Sequence, residues 1–172
     1  MIERIKNALT AQPAPIAEAH CDGPYGNNLR NVIGRRWAQS DGAAALEWLA
    51  SAPEGHEKNV ALRAAFAEWG QVDPRAALAW MAARTTGELD PWLRPIIPVY
   101  ARLLAQESPA DAIEWAERTE DAEEREVLLI KIARKWRERD AAAAEAWLAE
   151  SPLSEEAREK ARAPEPPRGP QG

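Results

Sequence analysis

The sequence predicts an all-α fold: a right-handed α-solenoid of about four tandem antiparallel helical hairpins with capping helices. Three observations carry this expectation. Tryptophan recurs at Trp48, Trp80, Trp115 and Trp147, at spacings of 32, 35 and 32 residues, and a fixed period of about 20–50 residues marks a repeat array. Seven residues before each of these stands a helix-starting Asp41, Asp73, Ser108 or Asp140, twice followed by proline, the pairing of a capping oxygen with a first-turn Pro. Ala makes up roughly a fifth of the 172 residues while Leu, Ile, Val and Phe together make about a sixth. With 8 Trp in the chain, each able to bury on the order of 150–250 Å², a core built on helices is feasible.

The shared core is Trp-x3-Asp/Ser-x3-Ala-x2-Trp. It runs Trp37, Asp41, Ala45, Trp48; then Trp69, Asp73, Ala77, Trp80; then Leu104, Ser108, Ala112, Trp115; then Trp136, Asp140, Ala144, Trp147. The repeats cover about 27–53, 54–86, 87–119 and 120–152. In each, helix A ends on the first Trp (or Leu104), and helix B starts at 41, 73, 108 or 140 and runs about three turns. Ser108 to Asp111 resembles a capping box. The A helices carry apolar residues three, four and seven apart, as in Val60, Leu62, Phe66 and Trp69, and in Val127, Leu128, Leu129, Ile132 and Trp136. The recurring alanine sits one turn before the second Trp and lets a neighbouring helix come close.

The third repeat departs from this pattern. Its helix A would run from Asp90 to Leu104, but Pro95 and Pro98 fall inside it, and interior proline costs about 3 kcal/mol. The helix must kink there or restart. Residues 1–26 read as an N-terminal cap or degenerate repeat, with a short amphipathic helix on Ile2, Ile5 and Leu9 and a second at 15–21. Residues 153–162 read as a polar closing helix, and 163–172 as a disordered Pro-rich tail.

The bulk chemistry excludes several function classes. A net charge of −6 argues against nucleic-acid binding, which draws its affinity from Lys and Arg on phosphates. The single Cys21 permits no intramolecular disulfide framework. No apolar run reaches the roughly 18–20 residues of a membrane span, and the N-terminus lacks a secretory signal's apolar centre, so a cytoplasmic location is expected.

Few residues suggest chemistry. His20, Cys21 and Asp22 form the one cluster of ligand or nucleophile types, with His56 the only other histidine. A structural zinc site wants four Cys/His ligands in close pairs, so neither a metal nor a cofactor is expected. The acidic run Glu120–Glu124 suits the first turn of a helix, where it complements the macrodipole. Trp92 stands outside the repeat register, beside the prolines and in the same A-helix register as Tyr25, either as a binding anchor or as an extra core residue. Arg35, Arg102 and Arg134 stand two residues before the ends of their A helices, and Arg63 one turn before the matching position of the second. Such a row either forks carboxylates of a partner or forms ordinary surface ion pairs with the acidic B helices. The Pro164–Pro170 tail has the composition of a polyproline ligand.

Tandem hairpins of this period, over roughly residues 27–150, resemble the tetratricopeptide-repeat-like α-solenoids. The resemblance implies a non-enzymatic scaffold whose concave face, lined by A helices, holds a peptide or partner helix. On that reading Arg35, Arg63, Arg102 and Arg134 supply charge for an acidic or amphipathic protein segment, and Trp92 and Tyr100 supply apolar anchorage. The chain is then a monomer or weak homo-oligomer. The alternatives are a structural or oligomerisation element of a larger solenoid, a small enzyme around His20, Cys21 and His56, and an RNA-binding helical repeat.

Overall fold

A computed structural model describes residues 26–164, with side chains from Leu29 onward. The expected N-terminal cap, the His20–Asp22 cluster, Tyr25 and the tail from Glu165 lie outside the described residues. The described chain is all-α, with no strand among these residues. It divides into two compact units, the first ending at Tyr100 and the second starting at Ala101.

In the first unit, α1 (Gly26–Ala38), α2 (Gly42–Ala50), α3 (His56–Val72) and α4 (Pro74–Ala83) precede a 3-10 segment at Pro91–Ile96 and the start of α5 (Ile97–Leu104). The 17-residue α3 is the hub, packing on α1, α2, α4 and the 3-10 segment. Lys58, Ala61, Leu62, Ala65, Phe66 and Trp69 form its buried stripe, as a period of 3.6 demands. Phe66 gathers Trp69, Trp80 and Tyr100 with ring centroids at 6.3, 6.4 and 6.5 Å. Trp80 in turn meets Trp69 at 5.7 Å and Trp92 at 6.0 Å, both edge-on. Such pairs contribute about 0.5–1.5 kcal/mol each beyond the area they bury.

The second unit continues α5 with α6 (Pro109–Glu117), α7 (Ala122–Arg139), α8 (Ala141–Glu150) and α9 (Glu155–Arg162). Here the 18-residue α7 is the hub for α6, α8 and α9. Its Leu128, Leu129, Ile130, Ile132 and Ala133 are buried, whereas Val127, expected on the stripe, is 44% exposed. Asp121 caps α7 by accepting from the Glu124 N–H at 2.7 Å, and Glu123 and Glu124 occupy its acidic first turn. Ser154 caps α9 in the same way through the Ala157 N–H at 3.1 Å.

The joint between consecutive helices is built alike at four places. The backbone N–H of Asp41, Asp73, Ser108 and Asp140 donates to the carbonyl of Trp37, Trp69, Leu104 and Trp136 at 2.8–2.9 Å, ending one helix. At the three aspartates the side chain then accepts from Ala44, Ala76 and Ala143 at 2.9–3.0 Å, opening the next. Ser108 holds the same backbone position, and its carbonyl accepts from Ala112 at 3.0 Å, but its hydroxyl makes no cap bond. The capping box expected there is therefore absent. Ala45, Ala77, Ala112 and Ala144 are all fully buried, so a larger side chain at any of them would push the packed helices apart.

Proline decides the third helix A. Pro95 cannot donate a backbone bond, and its ring would clash with the carbonyl four residues back in an α-helix. The chain takes 3-10 geometry to Ile96 and restarts as α5 at Ile97. Pro98 then falls in the first turn of α5, where no bond is lost.

Candidate functional site

The arginines expected to form a recognition row have different surroundings. Arg35 is exposed, and its guanidinium pairs with Glu68 on α3 through both Nε (3.1 Å) and Nη2. Gln39 Nε2 donates to the other Glu68 oxygen at 3.1 Å. The hydrogen bond from Arg35, then that from Gln39, holds the Glu68 carboxyl below its ordinary value of 4.5, against a smaller opposing effect of burial. Arg63 is half-buried on α3 and engaged within the molecule. Arg134 donates through Nη2 to the Lys160 carbonyl at 2.6 Å, and Arg137 to the Arg162 carbonyl at 2.5 Å. These are carbonyls of the last turn of α9, which have no partner inside their own helix. Arg139 serves the end of α5 similarly, through the Gln106 carbonyl at 2.8 Å. Arg102 is exposed, on the last turn of α5.

The two proposed aromatic anchors also differ. Tyr100 is only 4% exposed and lies edge-on to Phe66, so it belongs to the core and offers no surface. Trp92 is half-buried, packed against Trp80 with ring centroids 6.0 Å apart, and keeps part of its surface exposed. The repeat tryptophans are graded. Trp37, Trp48 and Trp69 are buried, while Trp80, Trp115, Trp136 and Trp147 are partly exposed. Arginine covers two of these, Arg84 over Trp80 at 4.1 Å and Arg118 over Trp115 at 4.2 Å. Arg84 also pairs with Glu47 at 2.9 Å.

A cavity of about 130 Å³ in the first unit escaped the sequence reading. Arg30 of α1, Leu49 of α2, the Ala52–Gly55 loop and the first turns of α3 line it, including His56, Lys58 and Ala61. Lys58 has a side chain only 3% exposed, and its Nζ donates to Glu54 at 2.6 Å. Taking an ammonium group from water costs several kcal/mol, so a lysine this buried requires a partner. The loop turns sharply at Gly55, whose φ of 152° lies where residues with a Cβ are strained. A signal was legible: Lys58 stands three and four residues before Ala61 and Leu62, on the apolar stripe of α3.

His56 is exposed at the cavity's rim, and its suggested partners His20 and Cys21 are outside the described residues. Among the described residues, no three His, Cys, Asp or Glu side chains converge as metal ligands, and no helix is long and apolar enough to cross a membrane. The sequence and the fold match no protein-family model, no curated protein and no solved structure.

Proposed function

We propose that the chain is a non-enzymatic protein-interaction module, a short solenoid of helical hairpins similar to tetratricopeptide-repeat arrays, acting in the cytoplasm on an acidic or amphipathic segment of a partner protein. The observation that carries this reading is the fourfold recurrence of one joint, with the same backbone bond and the same fully buried alanine. A unit of this size cannot cover its own apolar face, so hairpins of this kind stack, and stacked hairpins present extended surfaces. Of the residues first assigned to recognition, Arg102 and Trp92 retain accessible surface; Arg35, Arg63 and Arg134 are engaged within the fold, and Tyr100 is core.

The test is affinity purification from native lysate at two salt concentrations, with wild type beside Arg102→Glu and Trp92→Ala. A partner held by wild type, released by added salt and weakened by either variant supports the reading. Equal capture by all three proteins, or none, rejects it. A second reading, a structural element that stacks on another copy, draws on Leu29 (39% exposed) and Val32 (60% exposed), one turn apart on α1. Light scattering that shows mass rising with protein concentration, abolished by Val32→Glu, would favour that reading.

A further inference from the structure

We propose that the cavity beside Lys58 is a carboxylate-binding pocket, in which Lys58 and Arg30 hold the acid group and Glu54 is the resident stand-in for it. The inference deepens the reading above by naming the chemical group of the partner that this chain recognises. Lys58 is the only charged side chain buried among the described residues, and the partner that permits its burial, Glu54, is itself 81% exposed. An exposed loop carboxylate can swing into water without disturbing the core, leaving the buried ammonium to any other carboxylate that enters. Arg30 lines the same cavity, and its guanidinium rests 5.5 Å from the Trp48 ring. A guanidinium is the group that grips carboxylates in pairs of parallel bonds.

The rest of the lining selects the ligand. Leu49, Ala52, Pro53 and Ala61 supply an apolar wall, so the acid arrives on a short hydrocarbon stem. About 130 Å³ admits a carboxyl group with a few carbons. Glu54 and Glu57 at the same cavity weigh against a doubly charged phosphate more than against a single carboxylate. The first turn of α3 opens beside the cavity without a side-chain cap, and its positive end favours an anion. Two sources share this chemistry: the C-terminal carboxylate of a peptide ending in a small apolar residue, and a free short-chain acid.

The experiment is an NMR titration of the purified full chain, following the backbone amides of residues 54–61. Butyrate, butyramide, inorganic phosphate, and a short peptide ending in valine, as free acid and as amide, are the probes. Saturable shifts with butyrate or the peptide acid, absent with both amides, are expected. Tighter binding of the peptide acid identifies a peptide terminus as the ligand, and equal binding a free acid. Glu54→Gln removes the competing carboxylate and should tighten binding about three- to tenfold; Lys58→Met should abolish it. If Lys58→Met does not fold, Arg30→Gln is read instead and should weaken binding while Glu54→Gln still tightens it. No saturable shift with either acid, equal response to the amides, tighter binding of phosphate, or unchanged affinity in Glu54→Gln would each overturn the proposal. Because the probes are defined molecules, this failure is separate from failure to capture a protein partner.

Discussion

Gly42 offers the sharpest test of how the first unit is packed. It is the first residue of α2, directly after the cap Asp41, and the Trp69 indole of α3 lies against its backbone. A Cβ built at Gly42 overlaps Cγ, Cδ2 and Cε3 of that ring. These atoms belong to a rigid bicycle that is 9% exposed and wedged against Phe66 and Trp80, so the ring cannot simply rotate away. Overpacking of this kind costs about 1–3 kcal/mol. Replacing glycine in a helix with alanine returns at most about 1 kcal/mol of backbone entropy, less at the first position. Gly42→Ala should therefore lose about 1–2 kcal/mol, lowering Tm by roughly 5–15 °C for a cooperative unit of 60–100 residues. Urea and thermal unfolding, read by tryptophan fluorescence and far-UV circular dichroism, measure this directly. A double-mutant cycle isolates the cause: in a Trp69→Leu background the same Gly42→Ala change should cost little or nothing. A neutral or stabilising Gly42→Ala, or an equal penalty in both backgrounds, would refute the argument.

The joints and their arginines give further expectations. Asp73→Ala and Asp140→Ala each remove a cap bond and should cost about 1 kcal/mol, whereas Ser108→Ala, which loses none, should be nearly neutral in the same urea titration. Arg134→Met strips the Lys160 carbonyl of its partner and should cost about 1 kcal/mol, with faster amide hydrogen exchange confined to α9. The Glu68 carboxyl has a folded-state pKa lowered chiefly by the Arg35 hydrogen bond. Its contribution to stability is present above the ordinary value of 4.5 and is lost as pH falls from there through the folded-state value. Stability of Glu68→Gln should accordingly vary less with pH across that acid window, and a steeper dependence would contradict the pairing.

Tryptophan spacing, the aspartates before α2, α4 and α8 and the Ser108-Pro109 pair before α6 placed these helices within a residue or two, because a cap bond or a first-turn proline acts within about three residues. Proline placed the break in the third helix A for the same local reason, though not the choice of 3-10 geometry over a kink. The candidate site was less legible. Arg35 and Arg134 read as a surface row because each stands at a helix end, but their partners, Glu68 and the Lys160 carbonyl, lie 33 and 26 residues away. No local pattern encodes such a pairing.

What the sequence alone determined is the all-helical class, the starts of the B helices and most residues of the apolar stripes, all consequences of bonds and periodicities within a few residues; two A helices run three residues past their Trp, to Val72 and Arg139, and Val127 faces solvent. Tertiary structure decided what each stripe meets. It made Gly42 indispensable by laying an indole on it, sent Tyr100 inward against Phe66, and enclosed Lys58 beside a cavity. Each outcome depends on which side chain from a distant helix fills the opposing space, and close packing of interiors, unlike helix formation, is settled only when those distant surfaces meet.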